Sequence, residues 1–171
     1  FVRSSQHMAT KSQTKATTRG KKTSKSTGRK PSGRKTGIST RTAGKSLVIV
    51  ESPAKARTIG QMLGNKYEVV ASQGHVRDLP KGKIGVDVDN EFQPSYVIMR
   101  DKRAIFNDLK KAGDQASNIY LATDPDREGE AISWHLQIAA QWDQRTDPPK
   151  RVVFHEITKQ AVEEAFKNPR E

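Results

Sequence analysis

The chain has 171 residues, a formal net charge of +12 and no cysteine. Without cysteine it can form neither a disulfide nor a thiolate metal site. Its apolar runs are all much shorter than the ~20 residues that a membrane-spanning helix requires. The composition therefore argues against disulfide scaffolds and membrane spans, and we expect no membrane partner.

The positive charge is concentrated near the N-terminus. Residues 1–46 carry 13 of the 31 lysines and arginines and no Asp or Glu, whereas the rest of the chain carries 18 basic and 19 acidic residues. This segment has few large apolar side chains, so it cannot bury enough surface to offset the entropy of ordering. We predict a disordered Lys/Arg/Ser/Thr-rich tail at 1–45, with 1–7 a foreign leader before a natural start at Met8. One folded domain is predicted at 46–171.

Strand and helix signals alternate along this domain. "KSLVIVES" predicts a buried strand that ends near Glu51, and Ser52 and Pro53 then begin a helix that stops at Gly64. Further strands are predicted at "KYEVVAS", "YVIM", "NIYLATD" and "RVVFHE", and helices at "DKRAIFNDLKKAG" (closed by Gly113), "EGEAISWHLQIAAQW" and "TKQAVEEAFKN". The alternation predicts an α/β fold, with a mostly parallel sheet covered by helices on both faces.

An acidic stretch, "DPDREGE", follows the fourth predicted strand. It places Asp124, Asp126, Glu128 and Glu130 within seven residues. Pro125 biases the residue before it toward an extended backbone, in which side chains two positions apart share a side. Carboxylates this close repel one another unless a proton, solvent or a cation lies between them. Carboxylate oxygens and water suit Mg²⁺, so the stretch predicts a magnesium site.

The position of the acidic stretch supports this interpretation. In an open parallel sheet, ligands bind beyond the carboxyl ends of the strands, where the strand order reverses. Glu51 ends the first predicted strand and Asp124 ends the fourth, so both are expected at that edge. Glu51 would then remain outside the metal shell and exchange protons. The alternative is that one or two of the carboxylates only cap the following helix and complement its dipole.

Two known motifs are excluded by residue positions. Asp124, Asp126 and Glu128 match the start of a calcium-binding EF-hand loop, but its twelfth position is His135, where a glutamate is required. "AGKSL" lacks the first glycine of a nucleotide-binding P-loop, because position 39 is a serine.

Basic residues lie at the start of the first predicted helix. Lys55 and Arg57 follow its N-cap, where unpaired N–H groups and the helix dipole favour an anion. An ordinary solvated helix start is the alternative, although a neighbouring metal site favours a phosphate. His75, in the loop "GHVRDLP", could reach a substrate, whereas His135 and His155 are expected to be structural. Trp134 and Trp142 are expected to lie in the core or at an interface rather than to stack on bases.

Four blocks, "LVIVESPAKARTIG", "SQGHVRDLP", "LATDPDREGEAISWHL" and "RVVFHEIT", resemble in order the N-terminal TOPRIM domain of bacterial DNA topoisomerase I, a type IA topoisomerase. The resemblance covers essentially all of residues 46–171 and implies a compact Rossmann-like fold. It further implies that Asp124, Asp126 and Glu128 hold Mg²⁺, and that Glu51 transfers protons at the scissile phosphate.

The resemblance also implies roles for several basic residues. Lys55 matches a lysine that contacts the scissile phosphate, and we assign it and Arg127 to catalysis together with Glu51. DNA binding is assigned to Lys55, Arg57, His75 and Arg77.

The resembled family relaxes negatively supercoiled DNA without ATP, by transient single-strand cleavage through a 5′-phosphotyrosine and religation. None of Tyr67, Tyr96 and Tyr120 matches the nucleophile, so we expect a fragment that is inactive alone. Its expected partners are single-stranded or underwound duplex DNA and the remaining topoisomerase domains in cis. We expect a monomer in the bacterial cytoplasm, at the nucleoid. The alternatives are a free-standing metal-dependent TOPRIM nuclease and a non-catalytic DNA-binding module that works through the tail.

Overall fold

The computed structural model describes residues 41–170. The predicted tail lies outside these residues except for 41–45, which contact the domain. Thr42 is fully buried, and the Lys45 carbonyl accepts a hydrogen bond of 2.9 Å from the Ser117 N–H. The folded part therefore begins a few residues before the predicted boundary. No helix in this part of the chain is long and apolar enough to cross a membrane.

Strands and helices alternate along the folded part except between residues 67 and 98, where five strands follow one another. Two short 3₁₀ turns lie at Arg100–Lys102 and Trp142–Gln144. In chain order the elements are β1 (Ser46–Val50), α1 (Pro53–Leu63), β2 (Tyr67–Ala71), β3 (Arg77–Asp78), β4 (Val86–Asp87), β5 (Gln93–Pro94), β6 (Val97–Ile98), α2 (Arg103–Gln115), β7 (Ile119–Leu121), α3 (Arg127–Ala140), β8 (Lys150–Arg151) and α4 (Lys159–Lys167).

Four strands form one parallel sheet in the order β2–β1–β7–β8. The chain runs from β1 outward to β2 and from β7 outward to β8, so the strand order reverses between β1 and β7. Hydrogen bonding pairs Leu47 with Ile119 and Ile49 with Leu121 across this central pair. The sheet confirms the predicted α/β fold.

The alternating side chains of β1 face two separate cores, as the pleat of a strand requires. Leu47 and Ile49 face the core under α2 and α3, whereas Val48 and Val50 face the core under α1 and α4. Both faces are therefore covered by helices, which explains why the strand reads as an unbroken apolar run. The helices contribute the fully buried side chains of Ile59, Leu109, Ile132, Leu136 and Val162.

The segment "YVIM" contains a strand, as predicted, but this strand is not part of the parallel sheet. Only Val97–Ile98 forms a strand, and it pairs antiparallel with β3 in a separate two-stranded sheet. Val97 is 44% exposed, so this run does not have both faces buried as the central strands do. A short apolar run alone does not distinguish a strand with both faces buried from a partly exposed strand.

Gly113 does not end α2, which continues to Gln115, contrary to prediction. A Cβ at position 113 would clash with the buried ring of Trp142. Glycine is a common helix stop, but here it allows an aromatic ring to approach the helix backbone.

Candidate active site

Three of the predicted residues meet at the edge where the strand order reverses. Glu51 follows β1 directly and Asp124 lies three residues beyond β7, and these strands are neighbours in the sheet. The ammonium of Lys55, in the first turn of α1, donates hydrogen bonds to Glu51 Oε1 and to Asp124 Oδ2. The fold therefore joins residues that are far apart in the sequence into one charged cluster.

Lys55 is positively charged in this cluster. Burial lowers the pKa of its ammonium, but hydrogen bonds to Asp124 and Glu51, together with their charges, raise it more, and the pKa lies above its ordinary value. Lys55 therefore neutralises one of its two carboxylate partners at neutral pH. It cannot serve as a general base in this state.

Glu51 keeps one carboxylate oxygen free. Its Oε2 atom is buried and has no hydrogen-bond partner among residues 41–170. A buried acceptor without a partner is costly, so this oxygen is suited to take a proton, a water or a ligand atom. A cavity of about 160 Å³ adjoins it, lined by Glu51, Gly74, Asp124, Asp126, Glu128, Gly129 and Ile132.

The other carboxylates of the acidic stretch have different partners. Asp126 caps α3, with Oδ1 accepting a 2.7 Å hydrogen bond from the Gly129 N–H, as the capping alternative predicts. Glu128 is exposed, and its Oε1 lies 3.8 Å from Nε2 of His75. Glu130 forms an ion pair with Arg151, with 2.8 Å between Oε1 and Nη2.

No group of three or more acidic or histidine side chains within residues 41–170 is arranged to hold a metal ion. The donor set nevertheless fits Mg²⁺ in its chemistry, because Asp124, Asp126 and Glu128 offer only hard carboxylate oxygens. The ammonium of Lys55 also shows that the space between Glu51 and Asp124 accommodates a positive charge.

The loop between β7 and α3 is held closely against the helix. Thr123 Oγ1 donates a 2.7 Å hydrogen bond to the Gly129 carbonyl and lies 2.7 Å from Ser133 Oγ. A Cβ at position 129 would clash with the main-chain carbonyl of Asp124. Glycine at this position therefore lets Asp124 lie directly over the first turn of α3.

Arg151, at the end of β8, fixes the same loop from the other side. Its Nη1 donates to the Leu121 carbonyl at 2.8 Å, and its Nη2 donates to the carbonyls of Thr123 and Asp124 at 2.8 and 3.0 Å. The same side chain pairs with Glu130 at 2.8 Å. This role of Arg151 could not be predicted, because nothing in "RVVFHE" identifies main-chain carbonyls that precede it by 27 to 30 residues.

The remaining predicted basic residues are more dispersed. Arg57 is exposed on α1, two residues beyond Lys55 and therefore on a different side of the helix. Arg127 is exposed at the first position of α3. His75 lies next to Glu128, so the structure brings this residue to the acidic stretch.

Arg77, in β3, contacts the buried side chain of His135 in the middle of α3. Its Nε donates a 2.9 Å hydrogen bond to Nδ1 of His135. Burial, and then the charges of Arg77 and His75, lower the pKa of His135 below its ordinary value, although Asp78 opposes the shift. His135 is therefore neutral at pH 7, as its acceptor role requires.

The sheet and its acidic edge define an α/β protein whose candidate site lies at the topological switch point. Residues 46–157 match the family model of the Toprim domain, and the chain belongs to this family. It is similar to the full-length topoisomerase I from Thermotoga maritima, with 46% sequence identity and a TM-score of 0.66. The match covers 73% of this chain and 21% of that protein, so the chain spans about a fifth of its length. The resemblance predicted from the four blocks is confirmed.

Proposed function

We propose that this chain is the magnesium-binding region of an ATP-independent type IA DNA topoisomerase, acting on single-stranded or underwound DNA. Its membership of the Toprim family and its similarity to the topoisomerase I from Thermotoga maritima support the proposal. The observation that carries it is the convergence of Glu51, Lys55 and Asp124 beyond the ends of β1 and β7. The whole enzyme is proposed to be monomeric and cytoplasmic.

Lys55 and Glu51 are suited to act directly on a DNA phosphate. Lys55 lies in the first turn of α1, where the helix dipole also favours an anion. When a phosphate oxygen replaces one of its carboxylate partners, Lys55 holds the phosphate. Glu51 can then exchange a proton with the reacting oxygen through its free Oε2.

Asp124, Asp126 and Glu128 are proposed to hold Mg²⁺, which when bound supplies positive charge that stabilises the reacting phosphate. Asp126 has one oxygen for this role, because the other caps α3. Arg127, exposed beside them, is placed to contact DNA.

The nucleophilic tyrosine is proposed to belong to another domain of the same polypeptide. Tyr67 and Tyr120 pack against each other and against Phe166 of α4, with ring centroids 5.2 to 6.1 Å apart. Tyr96 packs against His135, 4.7 Å away. All three tyrosines therefore have structural partners, and a tyrosine nucleophile must be placed in line with its phosphate.

The decisive experiment replaces the Toprim region of Thermotoga maritima topoisomerase I with residues 41–171. The hybrid should relax negatively supercoiled plasmid in Mg²⁺, and its Asp124→Asn variant should not. A correctly folded hybrid without activity would contradict the proposal.

The chain alone, incubated with the same plasmid and Mg²⁺, should leave it unchanged. Metal-dependent nicking that disappears in Asp124→Asn would instead identify a nuclease, whose nucleophile is a metal-activated water and needs no second domain.

A further inference from the structure

A cluster of aromatic and basic side chains lies beside the middle of α3 and is called here the Arg77 cluster. It consists of Arg77 of β3, Tyr96, which precedes β6, and Trp134 and His135 of α3. The guanidinium carbon of Arg77 lies 4.7 Å from the ring centroid of Tyr96 and 4.9 Å from that of Trp134. The two rings meet edge to face at 5.7 Å. Trp134 is nevertheless 48% exposed, so much of its ring faces solvent.

Arg77 is held in place while its terminal nitrogens remain available. Its Nε donates to His135, and its guanidinium lies against two aromatic rings. Within residues 41–170, neither terminal nitrogen donates a hydrogen bond and no carboxylate forms an ion pair with this side chain. Arg151 offers the contrast, since both of its terminal nitrogens contact main-chain carbonyls. Arg77 therefore presents free, pre-oriented donors beside an exposed ring.

The cluster is continuous with the candidate active site. His135 follows Glu128 by seven residues on α3, which is two helical turns, or about 10 Å, along the same face. His75 lies between them, 3.8 Å from Glu128 Oε1 and with its ring 6.1 Å from that of His135. At ~3.4 Å per nucleotide of a stacked strand, this separation corresponds to roughly three nucleotides.

We propose that Arg77, Tyr96 and Trp134 form a base-stacking subsite for single-stranded DNA. The exposed ring of Trp134 stacks on an unpaired base, and the free nitrogens of Arg77 contact a phosphate or base edge of the same strand. An aromatic ring beside a cation is the usual means of binding single strands without strong sequence preference. The inference rests on the proposed function, because that function makes DNA the substrate.

A base can stack on Trp134 only when its face is exposed, so the subsite should prefer single strands to duplexes. Trp134 also reports on its own occupancy, because a stacked base quenches indole fluorescence. The chain's other tryptophan, Trp142, is 1% exposed and should be insensitive.

The test titrates the full chain with oligothymidylate, at a salt concentration that suppresses binding through the basic tail. Tryptophan emission should be quenched, and Trp134→Phe should remove the quenching while retaining a stacking ring. Trp134→Ala should weaken binding by roughly 5- to 150-fold, the range for removing one stacked base. Arg77→Lys should also weaken binding, since it keeps the charge but not the planar fork.

Phe92→Ala is the matched control, because Phe92 is 65% exposed but lies outside the cluster, and it should bind as the unchanged chain does. Unquenched emission, or equal affinities of Trp134→Ala and Phe92→Ala in variants that keep the thermal midpoint, would overturn the subsite. The Thermotoga hybrid separates the two proposals. If it relaxes plasmid equally well with Trp134→Ala, the subsite fails while the function stands.

Discussion

The guanidinium of Arg151 donates a 3.0 Å hydrogen bond to the main-chain carbonyl of Asp124 and so connects the end of β8 to the acidic stretch. Its bonds to the carbonyls of Thr123 and Leu121 strengthen this connection. The direction of the Asp124 carboxylate therefore depends on a residue that is not itself among the proposed metal ligands. Outer contacts of this kind fix the geometry of metal ligands before the metal binds.

We expect Arg151→Lys to lower Mg²⁺ affinity by about 10- to 100-fold, the typical cost of losing an outer-shell contact. A lysine ammonium cannot replace a planar fork that contacts several carbonyls at once. Calorimetric or NMR titration with Mg²⁺ measures the effect. Arg145→Lys is the control, because Arg145 Nη1 donates to the Gly113 carbonyl at 2.9 Å. Equal losses of affinity in both variants would show that Arg151 acts only on overall stability.

Lys55 forms an ion pair with Asp124, which is one of the proposed metal ligands, so it should compete with Mg²⁺ for this carboxylate in the absence of DNA. We expect Lys55→Met to tighten Mg²⁺ binding roughly 5-fold, from the ~1 kcal/mol of one charge interaction at 4 Å in water. Lys111→Met, at an exposed position of α2, should leave the affinity unchanged. A weaker Mg²⁺ affinity in Lys55→Met would mean that Lys55 organises the carboxylates for metal rather than competing for them.

The parts of the fold that local signals determine were predictable from the sequence. Ser52 caps α1 and Pro53 begins it, as their side-chain chemistry predicts. The meeting of Glu51 and Asp124 was predictable only after the strands were assigned to one parallel sheet. It then followed from the strand order, because neighbouring parallel strands end at the same edge.

The features that could not be predicted depend on tertiary contacts between residues that are far apart in the sequence. Glycine at position 113 predicts a helix stop, but its contact with Trp142 cannot be inferred from the neighbouring residues. The role of Arg151 cannot be predicted for a similar reason, because its partners are main-chain carbonyls, which every residue possesses. Likewise, nothing in the sequence showed that Arg77 would lie between Tyr96 and Trp134.

The basic tail yields a prediction from charge alone. Residues 1–40 carry 11 of the chain's 31 lysines and arginines, and cations on a polymer release counterions when they bind DNA. Deleting these residues should therefore weaken binding to single strands. The slope of log affinity against log salt concentration should become shallower by ~0.7 for each phosphate contact that is lost. Deleting only residues 1–7, which removes one arginine, should change little. Equal salt slopes for the full chain and the chain lacking 1–40 would exclude a DNA-binding role for the tail.

His135 should make the stability of the domain depend on pH. Its folded-state pKa lies below the ~6.5 of an unfolded histidine, so the unfolded chain binds the proton more readily. The stabilisation is complete above about pH 6.5 and is lost as the pH falls toward the folded-state pKa. The cause is local: a protonated His135 can no longer accept the hydrogen bond from Arg77 and is repelled by it, while His75 adds to the repulsion and Asp78 reduces it.

The measurement is the thermal midpoint of the metal-free chain between neutral and mildly acidic pH. His135→Gln should flatten its decline on acidification, whereas His155→Gln should not, because His155 is exposed. If His135→Gln declines as steeply as the unchanged chain, another group is responsible, and the neutral His135 is not what holds Arg77 in place.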